Sequence, residues 1–252
     1  MSALLDEVLD AHGVLPGGAT PQPSTLGCAR EACCCGPVSR KSASRLPHHG
    51  HRCAAAGGLG PIPRAGQRGV FERPQVRIES DDGQVLSSRT NARAAFFGRS
   101  GLRRNIRWDP LDSVYFAGYA MWNYLTTPYL LTREGVEVSE AQPWQQGGQT
   151  WRRLRASFSA TIDTHSPRQT FYFDGDGLLR RHDYVPEVIG HWARAAHYCV
   201  EPIEADGLVF PTRRWVHPIG PEIARCPSRR WSRSNWLMCT STPSSSGVGH
   251  RG

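Results

Sequence analysis

Apolar and polar residues alternate in paired short segments between residues 64 and 221, and a polar turn containing glycine separates the members of each pair. The pairs are 136–140 with 150–158, 169–173 with 178–184, and 195–203 with 208–216. Strict alternation indicates strands with one buried face, and a short glycine turn joins antiparallel neighbours. The pattern therefore predicts six strands in an antiparallel meander.

Two further elements precede this meander. Residues 70–80 alternate as one strand, which a turn at Asp81-Asp82-Gly83 connects to a returning strand at 84–89. A short helix is expected at 91–97. Residues 112–125 are apolar nearly all round, which predicts a buried helix that Asp109 or Asp112 caps and that ends before Pro128.

These elements predict an α+β fold that is mainly antiparallel β, with a curved meander sheet wrapped on a central buried helix and disordered flanks. Bulky side chains are assigned to the buried face of the sheet, namely Phe158, Phe171, Phe173, Tyr184, Tyr198 and Phe210. Arginines are assigned to the opposite face, namely Arg152, Arg153, Arg155, Arg168, Arg180, Arg181, Arg213 and Arg214.

The flanks differ in character from this core. Apolar residues at helical spacing predict an N-terminal helix within residues 1–17, with Ser2 as a possible cap and Gly13 at its end. Residues 18–63 and 222–252 are rich in Pro, Gly, Ser and Cys and show no periodicity, so we predict that both are irregular. The β-rich core domain is expected to span residues 64–221.

A reading-frame error is one explanation of the irregular flanks. When residues 45–63 and 222–240 are back-translated with GC-leaning codons, a displaced frame can encode alternating, strand-like sequences in both places. Lys41 is the only lysine against many arginines, which is typical of GC-rich genes. The hypothesis is a frameshifted product without function, and sequencing the locus tests it.

Charge and cysteine usage narrow the possible partners. The net charge is +8, but the core holds 20 arginines against 17 acidic residues, so we expect no nucleic-acid partner. Seven of the eight cysteines lie outside the core, and the run Cys33-Cys34-Cys35 lacks the spacing of a zinc site. No signal peptide or membrane span is recognisable. We therefore expect a cytoplasmic protein with no metal, no cofactor and no membrane insertion, whose oligomeric state stays open.

Three side chains in the core are candidates for acid–base or nucleophilic chemistry. His182 and His197 lie on predicted strands, and Cys199 would share a face with His197. An apparent calcium-loop fragment at Asp174-Gly175-Asp176-Gly177 lacks the remaining ligands and is interpreted as a hairpin turn. A hydrolase- or isomerase-type enzyme is therefore an alternative function, although a non-enzymatic protein is preferred.

The preferred hypothesis is a domain that binds an apolar or amphipathic small molecule between the sheet and the helix. Most of the aromatic residues are expected to belong to the core, and some excess can line a cavity between the helix and the sheet. The predicted cavity residues are Tyr119, Trp122, Phe173, Tyr184 and Tyr198.

Several segments of the core also resemble known proteins. Residues 151–158, 171–179, 182–184 and 207–214 are similar to an uncharacterised family of bacterial proteins, and the likeness covers about residues 70–220. More loosely, the order of elements resembles the lipoprotein-carrier-like (LolA/LppX-like) proteins. That resemblance implies a curved antiparallel sheet that covers helices and encloses an apolar groove. It implies no catalytic residues.

Overall fold

The computed structural model of the chain describes residues 2–13, 64, 66–98, 101–102, 107–219 and 236–237. Helices α1 and α2 span Ala3–His12 and Pro110–Thr126, and 3₁₀ helices span Ala92–Phe96 and Tyr129–Thr132. The strands are β1 (Gln67–Glu72), β2 (Gln75–Ser80), β3 (Val85–Arg89), β4 (Val136–Gln146), β5 (Gln149–Phe158), β6 (Arg168–Phe173), β7 (Leu179–Tyr184), β8 (Ala195–Ala205), β9 (Leu208–Pro218) and β10 (Trp236–Leu237).

The larger sheet is an antiparallel meander with the order β10-β9-β8-β7-β6-β5-β4. Each of its hairpins turns where the sequence supplies residues that tolerate positive φ: Gly147 and Gly148, then Gly177, then Asp206 and Gly207. The mainly antiparallel α+β class and the six consecutive strands β4–β9 are confirmed.

The smaller sheet has the order β1-β2-β3, and here one prediction is wrong. Residues 70–80 do not form a single strand, because the chain turns at Arg73 and Pro74 and divides the segment into β1 and β2. Proline has no backbone N–H for a sheet ladder and is confined to edges, bulges and turns, which explains the break. The predicted returning strand at 84–89 and the short helix at 91–97 are observed as β3 and the 3₁₀ helix.

Helix α2 begins at a complete capping box. The Asp109 carboxylate accepts a hydrogen bond from the Asp112 backbone N–H, and the Asp112 carboxylate accepts one from the Asp109 N–H. The helix packs closely on the small sheet, where Gly69 faces Val114 and Gly118 faces Phe71. Its other side faces the large sheet and residues 159–167, so α2 lies between the two sheets.

Helix α1 covers one end of the large sheet. Leu4, Leu5, Val8 and Leu9 are buried in a cluster with side chains of β5 to β9. The amphipathic spacing in the sequence, which puts these four residues on one stripe, accounts for this packing. The Ser2 hydroxyl and the Leu4 backbone N–H both donate to the Glu140 carboxylate on β4, which fixes the start of the helix against the sheet.

The flanking predictions concern residues that are mostly undescribed. The irregularity expected for 18–63 and 222–252 lies outside the described residues, apart from Trp236–Leu237, whose backbone pairs with β9. The domain boundaries therefore stay predictions. Within the described ranges no helix has the length and apolarity that crossing a membrane requires.

Candidate functional site

The register of the large sheet sorts its side chains into two faces. Residues that pair directly across antiparallel strands point to the same side. On the face toward α1 and α2, here called the inner face, Leu154, Phe171, His182, His197 and Val216 form one row. On the opposite face, here called the outer face, the next row holds Arg153, Tyr172, Arg181, Tyr198 and Trp215.

The inner face carries a row of contacting rings. Phe171 stacks on His182 at 4.2 Å between ring centroids, and the His182 and His197 rings are 6.5 Å apart. Gln169 fixes the His182 tautomer. The side-chain oxygen of Gln169 lies 2.5 Å from His182 Nε2 and can only accept a hydrogen bond, so Nε2 carries a proton. His182 is therefore held as an oriented ring within the core.

A continuous series of polar contacts, here called the tyrosine–histidine chain, joins α2 to the inner face. It runs from the Tyr119 hydroxyl to His165 Nδ1 (3.2 Å), and from His165 Nε2 to the Tyr124 hydroxyl (2.9 Å). It continues to the Tyr184 hydroxyl (3.1 Å) and ends at His197 Nδ1 (3.3 Å). Each tyrosine hydroxyl in it contacts at least one polar partner, so this buried polar layer is largely satisfied.

The segment 159–167 has no regular secondary structure, and α2 holds it in place. Asn123 donates through Nδ2 to the backbone oxygen of Asp163 at 2.8 Å, and the Tyr115 hydroxyl donates to the Asp163 carboxylate at 2.9 Å. Arg93 adds a bond from Nη1 to the Thr164 backbone oxygen at 2.9 Å. These contacts place His165 between the helix and the sheet, where it stacks on Tyr184 at 3.9 Å.

Burial dominates the electrostatics of this layer. It lowers the pKa of His165 to about 3, and the nearby positive charge of Arg93 acts in the same direction. Burial also holds the pKa of His182 and that of His197 well below the usual range, with further lowering from neighbouring positive groups. The three histidines are therefore neutral at neutral pH, and burial raises the pKa of the Tyr184 hydroxyl.

The predicted cavity residues do not converge on one place. Tyr119 and Tyr184 both belong to the tyrosine–histidine chain, whereas Phe173 lies in the hydrophobic cluster beneath α1 and Trp122 packs at its margin. Tyr198 does not lie on the buried face, because strand alternation from His197 turns it outward, where it stacks on Trp215. Tyr119 and Phe173 are wholly buried.

The predicted acid–base residues lie on one face but do not form a catalytic arrangement. His182 and His197 are cross-strand partners, yet their rings bond to Gln169 and Tyr184 rather than to each other. The Cys199 thiol contacts the His197 backbone oxygen at 3.9 Å, and burial raises its pKa. All three side chains are buried. No observation tests the enzyme alternative, which stays a prediction.

Arg214 is an inner-face residue that the sequence interpretation assigned to the wrong side. Strand β9 places Arg213 outward and Arg214 inward, opposite Cys199, where only 3% of Arg214 is exposed. Consecutive residues on a strand must face opposite sides, so a pair of arginines always sends one inward. The alternation of side chains along a strand is sufficient to predict that one of the two arginines faces inward. The assignment of both to one face did not take it into account.

The outer face carries a groove of about 700 Å³, here called the outer groove. Its polar lining comes from neighbouring strands, and includes Glu137, Ser139, Arg155, Ser157, Arg168, Thr170, Asp183 and Arg194. Tyr172, Val185 and Ile219 supply apolar and aromatic surface. Arg155, Arg168 and Arg194 are exposed, and none forms an ion pair with a carboxylate in the described part of the chain.

Beside the outer groove, arginines and aromatic rings alternate and contact one another. The Arg181 guanidinium lies 4.8 Å from the Tyr172 ring and 5.4 Å from the Tyr198 ring, and it forms a forked pair with Asp183 at 2.6 and 2.7 Å. Arg153 lies over Trp144 and Tyr172. These arginines are already engaged, unlike those of the outer groove.

Among the residues that the structure describes, no group of three or more His, Cys, Asp or Glu side chains is arranged to hold a metal ion. His165, His182 and His197 use ring nitrogens for contacts with Tyr or Gln side chains.

Comparison with known proteins yields little. No protein-family model matches the chain, and no curated protein matches its sequence. Among solved structures, the chain is similar to the crystal structure of a DUF1329 family protein from Desulfovibrio piger, at 16% identity and a TM-score of 0.34. The match covers 63% of this chain and 60% of that one, so the chain spans less than two thirds of that protein. A likeness at this level carries no inference about family or function.

Proposed function

We propose that this chain is a non-enzymatic binding domain whose outer groove holds an amphipathic small molecule bearing an acid group. One observation carries the proposal: Arg155, Arg168 and Arg194 line the outer groove without a carboxylate partner in the described residues, whereas Arg181 beside it is fully engaged. An unpaired, exposed guanidinium is free to form a charge-assisted hydrogen bond with a ligand carboxylate, sulfonate or phosphate.

The dimensions and the lining of the outer groove support a small ligand. A volume of about 700 Å³ falls within the range of ordinary small-molecule sites, which is about 300–1,000 Å³. Val185, Ile219 and the Tyr172 ring offer apolar surface to the body of the molecule, while Ser139 and Thr170 offer hydroxyl groups. An amphipathic molecule satisfies both parts of this lining.

The groove differs in position from the site that the sequence suggests. Between sheet and helix, Tyr119 and Phe173 are wholly buried in hydrophobic clusters, and the tyrosine–histidine chain occupies the intervening layer. An interior ligand would have to displace these packed rings at a large cost in contacts. The outer groove requires no such displacement, and this favours it.

A pair of matched fluorescent probes tests the proposal. The anionic probe is 8-anilinonaphthalene-1-sulfonate, and the uncharged one is N-phenyl-1-naphthylamine, which has the same ring system without the sulfonate. We expect Arg155→Gln, Arg168→Gln and Arg194→Gln each to weaken binding of the anionic probe by about tenfold, corresponding to a charged hydrogen bond of about 1.5 kcal/mol. Binding of the uncharged probe should change less than twofold.

Arg213→Gln is the matched control, because Arg213 is an exposed arginine of the same face that pairs with Glu201 outside the outer groove. It should leave both affinities unchanged. If the three groove variants together bind the anionic probe as tightly as the unaltered chain, the proposed function is wrong. Native mass spectrometry of the chain purified without denaturant then serves to identify a co-purifying acid.

A further inference from the structure

Arg214 is a buried cation with an incomplete set of contacts. Its Nη1 donates to the Cys199 sulfur at 2.9 Å, and its Nη2 donates to the Tyr124 backbone oxygen at 3.2 Å. The Nε–H, however, has no hydrogen-bond partner among the described residues. The guanidinium carbon lies 5.1 Å from the centre of the Tyr124 ring, which covers one side of the group.

The positive charge of Arg214 is also uncompensated in the described part of the chain. Arg180, which likewise acts on the Cys199 thiol, pairs with Asp174 at 2.5 Å, so that carboxylate is already engaged. No described carboxylate forms an ion pair with Arg214. Burying an unpaired charge is strongly unfavourable, and native structures compensate it with a counter-charge.

A second unpartnered nitrogen lies nearby. His197 is 2% exposed and has no partner for Nε2 in the described residues, although its Nδ1 contacts the Tyr184 hydroxyl. The His197 ring meets the Tyr124 ring edge-on at 4.6 Å, so the same tyrosine contacts both incomplete groups. Arg214 is also the foremost charge that acts on His197.

We propose that Arg214 and His197 form a buried site for a small monovalent anion of the halide class, with chloride as the physiological example. One negative charge compensates the single unpaired guanidinium, and a halide accepts from N–H donors in any direction. The size limit follows from burial, since only 3% of Arg214 and 2% of His197 is exposed and the Tyr124 ring contacts both. A water molecule would satisfy the hydrogen bonds but would leave the charge uncompensated.

The anion also sets the direction of hydrogen bonding along the tyrosine–histidine chain. If His197 donates from Nε2 to the anion, its Nδ1 accepts from Tyr184, and Tyr184 in turn accepts from Tyr124. Tyr124 then accepts from His165 Nε2, and His165 Nδ1 accepts from Tyr119. In this order every donor of the chain has an acceptor. In the reverse order the Tyr119 hydroxyl proton has none in the described residues.

Crystals of the full chain grown in sodium bromide provide the direct test. We expect an anomalous bromide peak within hydrogen-bonding distance of Arg214 Nε and His197 Nε2. A peak elsewhere only, or ordered water at this position, would overturn the proposal. The measurement uses the unaltered protein, so it does not depend on the folding of a variant. It is also independent of the outer groove, which lies on the other face of the sheet.

Solution measurements separate the anion from the alternative counter-charge, which is a Cys199 thiolate. At constant ionic strength, replacing gluconate with chloride should raise the midpoint of thermal unfolding in a saturable manner, because the ligand binds the folded state. Cys199→Ala should keep this shift and Arg214→Met should abolish it, while Arg213→Met, one residue away and exposed, should keep it. Two results together would refute the anion site. The unaltered protein would show no chloride-dependent shift of its unfolding midpoint, and it would show a thiolate absorbance at 240 nm that is lost in Cys199→Ala.

Discussion

The hydroxyl oxygen of Tyr124 lies 2.9 Å from Nε2 of His165, and through this contact helix α2 meets the segment 159–167. The same hydroxyl lies 3.1 Å from that of Tyr184 on β7. One side chain therefore ties together a helix, an irregular segment and a strand in a layer that is shielded from water. In such surroundings a polar group that loses its partner is costly, because water does not replace the lost bond.

Removing this hydroxyl should destabilise the fold more than its size suggests. Tyr124→Phe leaves the His165 nitrogen and the Tyr184 hydroxyl each short of one partner, so we expect a loss of about 1–3 kcal/mol in the free energy of unfolding. Urea denaturation followed by circular dichroism measures it. The control is Tyr198→Phe on the outer face, which removes a half-buried hydroxyl that accepts from Arg181 at 3.2 Å. It should cost less than about 1 kcal/mol. Equal losses in the two variants would contradict the buried network.

The buried histidines should make stability fall as the pH decreases. Burial lowers the pKa of His165 from 6.5 to about 3, and it lowers the pKa of His182 and of His197 in the same direction. Above pH 6.5 these groups are neutral in both states and contribute no pH dependence. Below pH 6.5 the unfolded chain binds protons that the folded chain does not, so the free energy of unfolding falls with a slope that approaches about 1.4 kcal/mol per pH unit for each histidine.

Urea denaturation at a series of pH values between about 7.5 and 5.5 measures this slope. His165→Gln removes one of the protons taken up on unfolding, so the mean slope between pH 6.5 and 5.5 should decrease by about 1 kcal/mol per pH unit. Tyr124→Phe is the matched control, since it disturbs the same layer without removing a histidine, and its slope should equal that of the unaltered chain. An unchanged slope in His165→Gln would show that the histidine is accessible in the folded state.

Signals from residues that are close together in the sequence were sufficient to predict the strands of the large sheet and the ends of helix α2. Glycines at Gly147, Gly148 and Gly207 have positive φ, and they lie at the turns where the sequence predicts hairpins. Asp109 and Pro128 likewise bound helix α2, because capping and the absence of a proline N–H act within a few residues. In the small sheet the alternation continued through Pro74, and there the proline overrode it.

The polar layer was less predictable, because long-range register creates it. Strand bulges, as between Tyr172 and Phe173, shift the pairing, and a shift of one residue exchanges the faces. Tyr198 and Arg214 were assigned to the wrong faces for a simpler reason, because the assignment did not follow the alternation along β8 and β9. His165 belongs to an irregular segment that no periodicity marks, and only the three-dimensional packing brings it to Tyr124 and Tyr184. Unpartnered donors such as the Arg214 Nε–H are visible only once all the contacts are known.

On the outer face, the Arg181 side chain should tolerate no conservative replacement. Arg181→Lys keeps the charge but loses the fork to Asp183 and the contact of the guanidinium with the Tyr172 ring, so we expect a loss of about 1–3 kcal/mol in the free energy of unfolding. Arg213→Lys is the control, because that side chain is 60% exposed, pairs with an exposed Glu201 and lies 5.7 Å from the centre of the Trp215 ring. It should change stability by less than about 0.5 kcal/mol. A tolerated Arg181→Lys would mean that the fork contributes little.

Gly118 should be intolerant of alanine, although alanine normally favours a helix. A Cβ at this position would lie 2.4 Å from the Cβ of Phe71, which belongs to strand β1 and cannot rotate away. The overpacking should cost about 1–3 kcal/mol and outweigh the gain of about 1 kcal/mol in helix propensity, so Gly118→Ala should be less stable in thermal and urea unfolding. Gly175→Ala, whose Cβ would meet no atom within 4 Å, should be nearly neutral. If Gly118→Ala is instead more stable, α2 does not lie as close to β1 as the structure has it.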